Sequence, residues 1–357
     1  MRKLLLLFIL FLLWGINCTK NPAGPGLSRG PYLYAIAWQS VDGYSRIYYI
    51  DTSVDSLVDS LLLPYDIRGW GISSKGDKLY LSARIGLFDP AVFKLEVNPF
   101  NKRIIYQGQN SGVPTPDGKY LIDILAPDGL SLGGLTIYDA RFHTQVFHSD
   151  TGFQNITIAF DESRSLAYGA IASGKIGVFD YRKLRWDRVI DLVQAGSTEG
   201  PDRDIAVSPL LQKLYFTSAN PFFCVLDLKK NKIIQQLRIN SSSYLALTKD
   251  NRFVYLTDPG GYLIPPEPTG YIGIYSTFDE APVQPSIDTR SLCPHPCAYC
   301  PLYTDQIKIS PDGSKAYVST SGGCIMVVID IPSNSLRTIN LVAEATATAQ
   351  LLIQSKP

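Results

Sequence analysis

The sequence predicts an all-β fold, a seven-bladed β-propeller with four antiparallel strands per blade and a ring closed by the C-terminal strand. Three observations predict it. A strand–turn–strand unit recurs along the chain, in most copies around a tyrosine. A third strand follows each unit and usually ends on an acid. The composition, with 21 Tyr against 15 Phe and 28 Gly beside 24 Pro, suits many short strands joined by tight turns.

Aligning the turns shows the period. The segments WGISSKGDKLYLSA (70–83), ITIAFDESRSLAYGA (156–170), IAVSPLLQKLYFTS (205–218), LALTKDNRFVYLTD (245–258) and IKISPDGSKAYVST (307–320) share one pattern. Each is a short alternating strand, a brief turn, and a second strand around Tyr80, Tyr168, Tyr215, Tyr255 or Tyr317. GVPTPDGKYLIDI (112–124) is a weaker copy. The third strands end at Asp51, Glu96, Asp139, Asp180, Asp227 and Asp330, and IYS at Ser276 fills the slot without an acid. A fourth strand follows a short polar turn, as in NKIIQQLRI and NSLRTINL. Four antiparallel strands roughly every 40–50 residues make one blade, and seven third strands make seven blades. The first blade, near 33–63, lacks an innermost strand, while ATATAQLLIQ (345–354) alternates and has no blade of its own. Their pairing closes the ring and removes two exposed sheet edges.

SPDGSKAYVSTSGGCIMVVIDIPSNSLRTINL (310–341) resembles a YVTN-type β-propeller repeat, and the resemblance extends over 33–342. It implies the fold; such propellers serve many roles, so it does not imply a function.

The N-terminus reads as an export signal. Arg2 and Lys3 precede an apolar run from Leu4 to Trp14, long enough for a signal-peptide core and short for a membrane span. Residues 1–17 are therefore expected to be removed. GINC, with Cys18 followed by the polar, Pro- and Gly-rich stretch to residue 31, resembles a bacterial lipoprotein signal, although Asn17 and Gly15 depart from the usual residues. The resemblance implies lipidation of Cys18, a flexible tether over 18–31 and a propeller over 32–357. Thr19 is not an acidic sorting residue, which implies the outer membrane, facing the periplasm or the surface. Losing Arg2 and Lys3 takes the formal charge from +1 to −1. Such a chain has no electrostatic reason to bind nucleic acid.

Function is expected on one face. Within a blade the chain alternates direction, so turns between strands one and two, and three and four, share a face, and these are terse. The long connections map to the opposite face: 84–91, 126–134, 194–203 and the insertions 258–270 and 286–305. Long loops on a rigid scaffold are where binding evolves. Residues just before each innermost strand should ring the channel mouth there. They are Asp66, Arg68 and Trp70; Gln154 and Asn155; Asp202, Arg203 and Asp204; Tyr244; Asp305 and Gln306. This ring mixes both charge signs with aromatics and suits a small polar ligand or a peptide end; the plainer reading is that these side chains pair with each other and with water.

CPHPCAYC (293–300) has the C-x3-C-x2-C spacing of radical S-adenosylmethionine enzymes, but it lies between the last two blades of an exported β-protein, and no α/β barrel accompanies it. Pro301 after Cys300 rules out haem attachment. Zinc held by Cys293, His295, Cys297 and Cys300 is an alternative. The favoured reading is two disulfides among Cys293, Cys297, Cys300 and Cys324, in a pairing the sequence leaves open, with Cys224 as a buried core thiol. No cofactor is otherwise expected. Little argues for an enzyme: His143 and His148 fall around an outer strand, and no nucleophile elbow, phosphate loop or histidine-metal spacing occurs. Seven-bladed lactonases use acids and Arg at the channel mouth, and Asp204, Arg203 and Arg68 mimic part of such a site. The expected role is a binding or scaffold module that meets a protein, glycan or surface complex at the cell envelope. A hydrolase at the channel mouth is the alternative.

Overall fold

The computed structural model describes residues 31–353 apart from 40–43, 74, 85–91, 109–111, 124–133, 154–156, 172–173, 198–199, 219–221, 240–243, 258–269, 293–302, 322–324 and 342–348. The strands form seven antiparallel sheets of four, each a blade of a β-propeller. The helical content of the described residues is one 3-10 turn at Arg290–Leu292, so among them no helix is long and apolar enough to cross a membrane.

In blades two to seven, chain order runs from one edge of the sheet to the other. The first strands are Asp66–Ile72, Val113–Pro114, Ala159–Asp161, Pro201–Ser208, Leu245–Leu247 and Tyr303–Ile309. They lie innermost, for they contact the first strands of neighbouring blades. Blade one takes its innermost strand from the tail. Ala349–Ile353 pairs antiparallel with Tyr32–Gln39, Leu33 opposite Ile353 and Ala37 opposite Ala349.

The repeat tyrosines Tyr80, Tyr168, Tyr215, Tyr255 and Tyr317 are all buried. Seven apolar clusters form, one for each blade–blade interface. Cys224 belongs to the cluster between blades four and five; it is a free thiol, and burial pushes it up to about 12. The interface between blades two and three is the thinnest, with Tyr80, Leu121 and Ala140 at its centre. Polar contacts supplement it: Glu96 is buried, with Lys78 Nζ 3.2 Å and His143 Nε2 3.1 Å from its two oxygens. The inner strands also approach closely there. A Cβ on Gly71 would sit 2.7 Å from Cδ of Pro114, so glycine is required.

The turns between third and fourth strands share one device. Each places a non-glycine residue in the left-handed region: Asp55, Lys102, His143, Leu184, Asn231, Glu280 or Asn334, with φ from 48° to 55°. The last residue of the third strand caps the turn. Asp139 Oδ1 accepts from Arg141 N and Phe142 N, Asp180 Oδ1 from Arg182 N and Lys183 N, and Asp227 Oδ1 from Lys229 N and Lys230 N. In blade two the capping residue is Asn98, which accepts from Phe100 N, and not Glu96, two residues earlier. An amide oxygen caps as an acid does, so the acidic rhythm misplaces that strand end.

The same face carries bonds between blades. Tyr255 donates to Asn334 Oδ1 at 3.1 Å, and Tyr317 donates to Asp55 Oδ1. Lys315 Nζ lies 2.9 Å from Asp55 Oδ2, and Arg337 also pairs with that carboxylate, locking blade seven to blade one where the ring closes. Lys213 bridges to Glu280 in the same way.

Candidate functional site at the channel mouth

The mouth is built where inner strands leave ideal pairing. Register breaks occur between Ile67 and Gly69, between Pro201 and Ile205, and between Thr304 and Ile307. Arg68, the segment 202–204 and the pair Asp305–Gln306 occupy these bulges. A bulge re-aims side chains that regular pleating would turn into the interface between blades.

Arg203, Asp204, Tyr244 and Asp305 come together. Arg203 is exposed and hydrogen-bonds Tyr244, whose hydroxyl burial pushes up, with Asp305 and Asp204 raising it further. Arg203 on blade five also acts electrostatically on Asp305 of blade seven, and Lys308 of blade seven acts on Asp204 of blade five. These blades are not neighbours in the ring, and Tyr244 of blade six, between them, feels both Arg203 and Asp305. Gln306 Oε1 accepts from Leu351 N, tying the mouth to the closing strand.

The two acids differ. Asp204 is 3% exposed, with Oδ1 accepting from Ile205 N at 2.9 Å and Oδ2 from Leu245 N at 3.1 Å. Burial raises its pKa, and Lys308, these amides and Thr157 oppose the shift. Both oxygens are thus engaged, Oδ1 within blade five and Oδ2 in joining blade five to blade six. Asp305 is 8% exposed and has no hydrogen-bonding partner among the described residues; burial pushes its carboxyl up to about 7, opposed by Arg203 alone.

Sequence reasoning missed Lys308, although a signal was present. Lys308 stands opposite the repeat Tyr317. The positions opposite the repeat tyrosines of four other blades hold Gly71, Ala159, Ala206 and Ala246. One lysine replaces a small residue; Gly71, Ala159, Ala206 and Ala246 are packed at the interfaces between blades. Asp66 is buried at the start of its strand. Arg68 and Trp70 fall in the same strand, with side chains outside the described residues, as are Gln154 and Asn155. Cys18, Cys293, His295, Cys297, Cys300 and Cys324 also lie outside the described residues, so the disulfide and zinc expectations have no structural counterpart here. His148 sits on an outer strand with Thr136 Oγ1 3.1 Å from its Nδ1, and His143 packs against Glu96, both away from the mouth.

The two longest insertions are rooted together. Thr289 donates from both its N–H and its hydroxyl to Gly270 O, at 2.9 and 2.7 Å, and Thr304 Oγ1 lies 3.5 Å from Tyr271 O. The Arg290 guanidinium lies 4.5 Å from the Tyr271 ring centre and pairs with Asp288.

No protein-family model and no curated protein matches the chain. Solved structures do. The chain is similar to the dihydro-heme d1 dehydrogenase NirN in complex with DHE, at 13% identity and a TM-score of 0.59, covering 95% of this chain and 78% of that one. It is similar to a functionally unknown protein from Desulfotomaculum acetoxidans DSM 771, at 13% identity and a TM-score of 0.60, covering 89% and 98%. Kuenenia stuttgartiensis hydrazine synthase matches at 15% identity and a TM-score of 0.54, covering 75% and 78%. At these identities the likeness concerns the fold alone.

Proposed function

We propose that the chain is an exported, lipid-anchored propeller of the YVTN-repeat type that docks a protein or glycan at the cell envelope through its long-connection face. The observation that carries this reading is the common root of the two longest insertions at Gly270, Tyr271, Thr289 and Thr304. These flanking residues bring the described ends of the two insertions together between blades six and seven, on a scaffold whose opposite face is occupied with locking the blades together. Cys18 supplies the anchor, and two disulfides among Cys293, Cys297, Cys300 and Cys324 staple the second insertion.

The test is photo-crosslinking in intact cells with a photoreactive residue at Tyr262 or Tyr299, one in each insertion, against the same residue at the exposed Leu210 on the tight-turn face. A discrete adduct with protein or glycan from either insertion site, absent at Leu210, is the expected result. Equal, diffuse labelling at all three sites overturns the reading.

A further inference from the structure

The chain enters the propeller on the tight-turn face. Pro31 O accepts from both the N–H and the hydroxyl of Thr52, at 3.0 and 2.6 Å, and Thr52 opens the turn between the third and fourth strands of blade one. Pro31 lies thirteen residues after Cys18. A Pro- and Gly-rich chain of that length reaches about 20 Å on average. A blade is about as tall, since the six- and seven-residue strands of blade seven run about 20–23 Å. A lipid on Cys18 therefore keeps the tight-turn face near the bilayer and the long-connection face away from it. The same face is apolar at its tips. Among the described residues, five large apolar side chains are 62% to 72% exposed, and the other exposed ones are at 50% or less. Four of the five tip tight turns: Val54 on blade one, Phe142 on blade three, Leu210 on blade five and Phe278 on blade six. The fifth, Val193, stands on the opposite face.

We propose that the tight-turn face lies on the bilayer that holds the anchor, with Val54, Phe142, Leu210 and Phe278 in its interfacial layer; the proposal rests on the Cys18 anchor read above. The four tips are spread over four blades and not gathered into one groove, which suits a flat, fluid surface better than a compact partner. Charge points the same way. In the turns of blades three to five the acids Asp139, Asp180 and Asp227 are turned to backbone N–H groups, while Arg141, Arg182 and Lys229 are exposed. The Arg141 guanidinium lies 5.0 Å from the Phe142 ring centre, so that tip is apolar and cationic together. Phe278 has acids beside it, but Glu280 pairs with Lys213 and Asp279 accepts from the Ser276 hydroxyl. Lys213 Nζ also lies 3.4 Å from Thr277 O, which sets the Leu210 and Phe278 turns side by side. Exposed cations near a bilayer are drawn to anionic headgroups, and a lipid chain combined with such a surface holds more firmly than either alone. The insertions on the opposite face are then presented outward.

Fluorescence quenching tests this on the detergent-extracted full chain, reconstituted into vesicles of phosphatidylcholine and phosphatidylglycerol with and without a nitroxide-bearing lipid. A fluorescent amino acid replaces Phe142, Leu210 or Phe278 in turn, or Val193 as the matched exposed position on the opposite face. The nitroxide should quench each tip at least threefold more than the Val193 site, with a blue shift in emission at the tips. Leu210→Ser combined with Phe278→Ser should lower quenching at the Phe142 site at least twofold; both side chains are exposed, and the urea midpoint checks the fold. The proposal is overturned if the tips are quenched no more than the Val193 site, or if the chain does not associate with the vesicles. A blue shift without quenching also overturns it, because the tips are then covered by protein, a second copy included. Intact mass reads the anchor separately. An acylated chain with unquenched tips refutes the orientation and keeps the anchor, and an unacylated chain with quenched tips refutes the anchor and keeps the surface.

Discussion

The two faces of the ring use the same kinds of side chain for opposite ends. On the tight-turn face, acids are engaged. Asp139, Asp180 and Asp227 cap turns through backbone N–H groups, and Asp55 is held by Tyr317, Lys315 and Arg337. On the mouth face, Asp305 is buried with a distant arginine as its one electrostatic support. The difference teaches where free energy is gained and where it is given up. A carboxylate whose pKa is lowered by its neighbours stabilises the fold, and one whose pKa is raised by burial weakens it once ionised. A protein keeps a group of the second kind where something other than stability selects it.

The largest effect should come from the strand both faces depend on. Leu351 is fully buried at the junction of blades seven and one, and its N–H bonds Gln306 at the mouth. Leu351→Ala removes a core side chain from the strand that closes the ring and should cost about 4 kcal/mol. The check is the urea midpoint followed by tryptophan fluorescence. A change under about 1 kcal/mol would mean that the ring is held by its turns and not by its closing strand.

Next comes a substitution that should stabilise. The folded pKa of Asp305 lies near 7, above the unfolded value of about 3.9. Ionised Asp305 therefore weakens the fold progressively as pH rises from about 4 to about 7, and its cost is complete above that. Asp305→Asn removes this cost, with a gain on the order of 3 kcal/mol at pH 8 and none at pH 4. Urea midpoints of both proteins at the two pH values decide it. A gain that persists at pH 4 would show that the effect is packing and not charge, and it would erase the contrast between the faces.

The architecture was legible because each blade writes the same short text. The repeat tyrosines mark second strands, the capping acids mark third strands, and the unpaired alternating tail marks the closing strand. Legibility failed at Asn98, where an amide does the work of an acid and leaves Glu96 to be mistaken for the cap. At the mouth, sequence reasoning found positions and not roles. Arg203, Asp204, Tyr244 and Asp305 all precede or begin an inner strand. Nothing in the sequence tells Asp204, satisfied by amides of blades five and six, from Asp305, which has no donor among the described residues. The bulges at 202–204 and 305–306 depend on pairing with the next strand, and the coupling of Lys308 to Asp204 depends on ring geometry.

The smallest effect sharpens the other side of the comparison. In the turns between first and second strands, a Ser or Thr hydroxyl donates to an acid two residues on while accepting a backbone N–H across the turn. Thr115 with Asp117, Thr248 with Asp250 and Ser310 with Asp312 repeat this, the last also accepting from Lys315 N. The hydroxyl of Ser310, with the backbone and hydroxyl of Ser314, holds the Asp312 carboxyl down to about 2 against the opposing effect of burial. Its contribution is present above the unfolded pKa of about 3.9 and is lost as pH falls toward 2. Asp312 is exposed, so solvent screening reduces what the shift implies, and Asp312→Asn should cost about 1 kcal/mol at pH 7. The cost should shrink toward zero by pH 2, the opposite trend to Asp305→Asn. Parallel urea series on the two variants between pH 2 and 8 measure both slopes. Slopes of opposite sign mean that the tight-turn acids support the fold while the mouth acid draws on it, and slopes of equal sign would leave the two faces electrostatically alike.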